Sequence, residues 1–235
     1  MRAIIIGDSI AMPRLECNYD CTWIAKLVKN YPQVEFIDKC RRSSSVMRLV
    51  NDGAGSEDIR RGADLLEYYH PDLVITQIGI TDCSPRLLKR DRKVTKIVNE
   101  LPYFISKLIY DFVRKTKGRT IKNNDLSPIE FKKCWINYIE RAKLLNTQII
   151  CIKIGFVSNQ FSKQNPMVCK SIVIYNEVLD ELSLKYSNFS VIIPFSQNEI
   201  DKISVDGYHI AEEGHNIVYE KLSNKIDEFI EANKK

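Results

Sequence analysis

A chain of 235 residues with 44% apolar and 28% charged side chains has the make-up of a globular protein, which excludes a disordered one and suits a single α/β domain over 1–235 carrying an insertion. No apolar run nears the roughly 20 residues of a membrane span, and the short run at 4–6 is cut at once by Asp8, unlike a secretory signal, so a cytoplasmic protein is expected. The net charge of +5 sits in one segment: from Arg86 to Asn124 twelve Lys/Arg face only Asp91, Glu100 and Asp111, leaving the rest of the chain net acidic.

In chain order, residues 3–6 form a continuous apolar run that reads as a buried strand ending in a Gly-Asp-Ser turn. A helix over 22–30 and a strand over 34–38 follow. Residues 56–69 read as a helix with Leu65 and Leu66 inward, closed by His70-Pro71. A buried strand over 73–78 ends at Gly79. Next comes the basic segment, 86–124, in which Leu101, Phe104, Ile105, Leu108, Ile109 and Phe112 recur at helical spacing and predict one inserted amphipathic helix. The remaining elements are a helix over 128–145, a strand over 148–154, a helix over 170–185, a strand over 191–194 and a closing helix over 212–230. Strands alternating with helices imply a parallel sheet covered on both faces, with working residues at the carboxyl ends of the strands. Ser9, the residues from Gly79 to Asp82, and Gly155 all fall there.

Serine attacks only when a base takes its proton, and the base needs a third group to hold its ring. Ser9 follows the first strand, close to the start of a helix whose free N–H groups can meet an oxyanion. Near the other end stands Asp206-Gly207-Tyr208-His209, a spacing that lets one turn bring the carboxylate to His209 Nδ1 and leaves Nε2 facing outward. Of the other two histidines, His70 sits in a turn and reads as solvated. His215 lies in the last helix and reads as a surface or packing residue. The seven cysteines, odd in number and without a CxxC pair, read as free thiols in a reducing compartment and not as a metal site. No cofactor is expected.

With Gly7-Asp8-Ser9-Ile10 near the start and Asp206-Gly207-Tyr208-His209 near the end, the sequence resembles the SGNH (GDSL-type) hydrolase superfamily over nearly its whole length, the basic insertion excepted. The resemblance implies a three-layer α/β/α, flavodoxin-like fold and esterase, lipase, deacetylase or acyltransferase chemistry without a cofactor. It makes Ser9 the nucleophile, His209 the base and Asp206 its orienting acid. Two blocks depart from the family pattern. Where the family has Gly-x-Asn-Asp this chain has Gly79-Ile80-Thr81-Asp82, so Thr81 replaces the asparagine that donates to the oxyanion. Where the family supplies a glycine N–H after the second strand, this chain has Cys40-Arg41-Arg42-Ser43-Ser44-Ser45. Replacement donors are sought among the Arg41–Ser45 backbone, the Thr81 hydroxyl and the arginines.

The stretch from Gly79 to Arg86, together with Ala11-Met12-Pro13-Arg14, resembles a subgroup found among bacterial surface-polysaccharide genes. A small-molecule or glycan ester substrate is therefore expected. Arg14, Arg41, Arg42 and Arg86 at one sheet edge would suit an anionic one, with Asp8, Gly79, Thr81 and Asp82 completing the expected oxyanion and substrate site. Three functions fit: an esterase or deacylase on an acylated carbohydrate or glycoconjugate, an O-acyltransferase with the same residues, and an inactive sugar-binding or scaffolding protein. For the insertion, core packing is the ordinary fate of such a stripe, with a lid or a peripheral contact with anionic membrane as the other readings. No nucleic-acid-binding motif accompanies its charge, so nucleic acid is not an expected partner.

Overall fold

The computed structural model describes residues 1–50, 65–89, 93–116 and 119–232. Five parallel strands form one sheet in the order β2-β1-β3-β4-β5, the flavodoxin-like order. They are β1 (Arg2–Gly7), β2 (Glu35–Asp38), β3 (Leu73–Gln77), β4 (Gln148–Ile152) and β5 (Phe189–Ile192). The inner strands are largely apolar because helices cover both faces: Ala3, Ile4, Ile5 and Ile6 of β1 and Leu73, Val74 and Ile75 of β3 are all wholly buried. The two strands pair in register from Ala3↔Leu73 to Gly7↔Gln77, so their carboxyl ends finish side by side.

One layer is built by α1 (Trp23–Asn30) packed on α9 (Glu212–Ala232). Opposite lie α5 (Pro128–Leu144) and α7 (Val168–Lys185), which pack on each other. The α5 start is fixed by a capping box, Ser127 with Glu130, and by Pro128 in its first turn. Between α5 and α7 an aromatic cluster forms the densest part of the core. Phe131 meets Tyr175 edge-on at 5.0 Å and Trp135 at 6.3 Å, and the Phe131, Trp135 and Tyr175 side chains are all fully buried. Short helices α2 (Ile80–Cys83), α6 (Asn159–Gln164) and α8 (Gln197–Ile203) follow β3, β4 and β5.

The strands and main helices stand within a few residues of the sequence expectation. The last strand is displaced, running Phe189–Ile192 instead of 191–194, because Tyr186 closes α7 and Ile149 N–H already bonds to Asn188. The helix expected over 56–69 lies outside the described residues except for its end, where residues 65–69 form turns. Leu65 and Leu66 there are buried, as expected.

The insertion differs more. It is not one helix but two, α3 (Lys93–Glu100) and α4 (Tyr103–Thr116), broken at Leu101-Pro102. Proline lacks the N–H that a continuous helix would need there, and its carbonyl instead starts α4 by accepting from Ile105 and Ser106. The stripe does not enter the core. No residue of α4 is buried, and Phe104, Leu108 and Phe112 are about two-thirds exposed.

Candidate active site

The end of β1 is gripped from both sides: Asp8 N–H donates to the Gln77 carbonyl and Arg41 N–H to the Gly7 carbonyl. Asp8 then makes an Asx turn, its Oδ1 accepting from Ile10 N–H at 2.9 Å. This leaves Ser9, between them, half-buried at the sheet's carboxyl edge.

His209 arrives on the loop between α8 and α9. The loop is closed as a small hairpin, with Val205 N–H donating to the His209 carbonyl and Ala211 N–H to Ile203. Gly207 at its tip has φ +101°, and a Cβ there would fall 2.8 Å from Phe161 Cβ. Only glycine meets both demands. The tip docks on α6, where Ser158 N–H donates to the Gly207 carbonyl and Phe161 packs edge-on against Tyr208.

Ser9 Oγ lies 2.9 Å from His209 Nε2, and His209 Nδ1 lies 2.7 Å from Asp206 Oδ2. The same carboxylate accepts the His209 backbone N–H through Oδ1, which fixes ring and carboxylate together. His209 is 4% exposed, and burial holds its imidazole pKa below the ordinary 6.5, against the opposing pull of Asp206 and with help from Arg14 and Arg42. Partial burial pushes the Asp206 carboxyl up, but the His209 backbone and ring outweigh it and hold the pKa below the usual value. At neutral pH the imidazole is therefore uncharged, with Nε2 free to accept a proton from Ser9 and Nδ1–H held by a carboxylate. Arg14 Nη1 stands 3.8 Å from Asp206 Oδ2.

Beside Ser9 opens a cleft of about 250 Å³ lined by Ser43, Thr81, Arg86, Arg119, Phe161 and Tyr208, among others. A larger cavity near Met47 and Asn137 has none of these groups.

No protein-family model matches the chain, and no curated protein matches it in sequence. Solved structures match it over nearly their full length. TesA superposes with a TM-score of 0.59 at 12% identity, over 95% of this chain and 97% of that one. A catalytic mutant of Axe2, an acetylxylan esterase from Geobacillus stearothermophilus, gives 0.61 at 16% identity over 96% and 93%. A protein of Desulfitobacterium hafniense assigned to the G-D-S-L lipolytic family gives 0.59 at 15% over 95% and 98%. The fold is that of the SGNH hydrolases.

Within the SGNH fold, the two departures from the family pattern have different outcomes. In the stretch after β2 that lacks the family's glycine, Ser43 adopts a left-handed backbone, with φ +56°. It lines the cleft with Ser9, and among the described residues no hydrogen bond uses the N–H of either. A left-handed serine costs about 1 kcal/mol, so the loop needs support from a neighbouring group. Asp82 does the holding: wholly buried, it accepts from the Ser45 hydroxyl and from Val46 N–H. Asp82 thus braces the loop from within and is not itself on the cleft.

Thr81 lines the cleft where the family has asparagine, and its hydroxyl makes no hydrogen bond among the described residues. Gly79 precedes it with φ +128° and with Ile154 so close that a Cβ would lie 2.7 Å from it, which bends the chain sharply into α2. The arginines divide. Arg86 forks onto Asp125 at 2.7 and 2.8 Å and bonds the Thr81 carbonyl, so its charge is largely spent. Arg41 and Arg42 are exposed and off the cleft lining; Arg42 reaches His209 only through its field.

Sequence reasoning missed Arg119, which enters the cleft from the end of the insertion and bonds the Pro85 carbonyl. Nothing in its local sequence sets it apart from the eleven other cations of that segment. It also missed α6, although Ser158 caps that helix by accepting from Phe161 N–H. His215 is a packing residue: its Nδ1 accepts from Trp23 N–H, and burial lowers its pKa to about 4. His70 is exposed. All seven cysteines are free.

Proposed function

We propose that this chain is a serine ester hydrolase of the SGNH superfamily that removes an acyl group from a carbohydrate or glycoconjugate. The observation that carries the reading is the unbroken chain from Ser9 Oγ through both nitrogens of a buried, neutral imidazole to Asp206. His209 takes the Ser9 proton as Oγ attacks the ester carbonyl, and Asp206 steadies the imidazolium that forms. The oxyanion is met by Ser9 N–H, with Ser43 N–H and the Thr81 hydroxyl as the further donors. His209 then protonates the leaving sugar oxygen, and a water activated by the same ring releases the acid. No step calls for a metal or cofactor.

Arg119, which lines the cleft, gives it a positive charge, which supports an anionic sugar or glycoconjugate as substrate. The resemblance of the 79–86 stretch to proteins of surface-polysaccharide gene sets supports a bacterial surface glycan or its precursor. Seven free thiols support a cytoplasmic setting.

A fluorophosphonate probe tests the nucleophile directly. Labelling should map to Ser9 and vanish in Ser9→Ala. Turnover of an aryl acetate should fall by roughly 10⁴–10⁶ in Ser9→Ala and in His209→Ala, with the fold intact. If the native chain neither labels nor turns over the ester, yet binds acylated sugars, it is a sugar-binding protein on a hydrolase fold.

A further inference from the structure

The hairpin of α3 and α4 takes no part in the proposed chemistry, and its surface is unlike the rest of the molecule. Val94 and Ile97 of α3 are 60% and 58% exposed, and Tyr103, Phe104, Leu108 and Phe112 of α4 are 79%, 65%, 68% and 67% exposed. Phe104, Leu108 and Phe112 follow each other at intervals of four, so they form one row along roughly 12 Å of helix. The two helices hold each other, Tyr110 Oη donating to Asn99 at 2.7 Å, and Thr95 and Val98 of α3 are buried.

Cations border this apolar row. Lys93 and Lys96 on α3 and Lys107 and Lys115 on α4 are exposed, and among the described residues none of them is in an ion pair. Arg114 pairs only with Asp111, one turn away on its own helix. On a helical projection Lys107 and Arg114 flank the row on the side away from Ile105 and Ile109, and Lys115 lies within its width.

We infer that the α3–α4 hairpin docks on an anionic lipid surface, lying in the interface with Phe104, Leu108 and Phe112 among the acyl chains and its lysines at the headgroups. Apolar contact and cationic attraction are the two terms that drive interfacial helices onto such surfaces. A second copy of the chain fits less well, because two segments each carrying nine surplus positive charges would be brought together. A nucleic acid would use the lysines but gain little from a row of phenylalanine and leucine beside them. Spanning is not the mode, since no helix among the described residues is long and apolar enough to cross a membrane.

The hairpin's root reaches the cleft. Arg86 and Thr120 bridge its two ends, Asn123 ties them through the Arg86 and Leu87 carbonyls, and Arg86 and Arg119 line the cleft beside Ser9. Docking therefore places on the lipid the same segment that carries Arg119 to the cleft.

Flotation of the full chain with phosphatidylglycerol–phosphatidylcholine vesicles, and with phosphatidylcholine alone, tests this. The chain should float with the anionic vesicles only, and about 0.5 M salt should weaken binding several-fold. The triple variant Phe104→Ser, Leu108→Ser, Phe112→Ser should lower bound protein at least about tenfold, as should Lys107→Glu with Lys115→Glu. Neither set touches the cleft, so aryl-ester turnover should stay at the native level whatever the vesicles show. No flotation with either vesicle overturns the proposal, as does flotation that both variants leave unchanged. A dimer in the native chain that the triple serine variant dissolves would assign the face to a second copy instead, and retention on nucleic acid lost only in the glutamate variant would assign it there.

Discussion

The sheet and the hairpin contain stretches of similar apolarity with opposite fates. In β1 four consecutive apolar residues are all fully buried, whereas in α4 none of Phe104, Ile105, Leu108, Ile109 and Phe112 is. The difference lies in what each stretch can meet. A parallel strand between two neighbours and two helix layers is enclosed on every side, so its apolar area is removed from water without further arrangement. The hairpin in the β3-to-α5 connection has no such enclosure: its two helices pack on each other and the α4 row faces water. Apolar periodicity therefore reports that a face needs cover, and it does not report where the cover comes from.

The comparison can be broken most sharply with one aromatic from each region. Phe131→Ala should cost about 3–5 kcal/mol of stability, because the ring is wholly buried between Trp135 and Tyr175. Phe112→Ala, at 67% exposure, should stay within about 0.5 kcal/mol. Urea unfolding of both variants measures the contrast. An equal loss in each would mean that the hairpin is packed core in solution.

Asp8 sharpens the same contrast between enclosed and exposed groups, now for a charge. Burial, opposed by the Ile10 N–H and reinforced by nearby Asp82, raises its carboxyl pKa to about 7. A raised folded-state pKa means that the native state holds the proton more tightly than the unfolded chain. Stability from this group is full below about pH 4 and is lost as pH rises through about 7, a total on the order of 4 kcal/mol. Asp8→Asn keeps an acceptor for Ile10 and removes the charge, so it should stabilise the protein at pH 8 and flatten stability between pH 4 and 7. Thermal melts across that range would show it, and an unchanged slope would mean that Asp8 is not the group responsible.

The smallest expected effect is at Arg14. Its charge near Asp206 and His209 is one of the influences that hold the imidazole pKa below 6.5. Activity should rise with pH through that depressed value, since neutral imidazole is the working form. Arg14→Gln should move the acid limb of the kcat profile upward in pH while leaving the plateau near native. A limb that moves down would show that Arg14 acts mainly by orienting Asp206.

The sequence by itself determined the frame of this protein. Run 3–6, four successive apolar residues with no polar face to turn to water, reads as an enclosed strand, as does 73–78 with its apolar start at Leu73, Val74 and Ile75. Helix 128–145 announces its start in Ser127, Pro128 and Glu130, and Gly-Asp-Ser with Asp-x-x-His name a serine, a histidine and a carboxylate whose chemistry belongs together. Ser196 and Glu199 carry the same capping signal for α8, which went unread because the helix is only two turns long. What the tertiary structure decided is everything that depends on contacts between distant segments. The 2.9 Å approach of Ser9 to His209 spans 200 positions and exists because β1 and the α8–α9 loop end at one sheet edge. Ser43 holds a left-handed conformation because Asp82, on another strand's exit, braces its loop. Arg119 reaches the cleft because the insertion folds back on Arg86, and the apolar row of α4 stays outside the core. None of these follows from local preference, since each is fixed by which surfaces the completed sheet brings together.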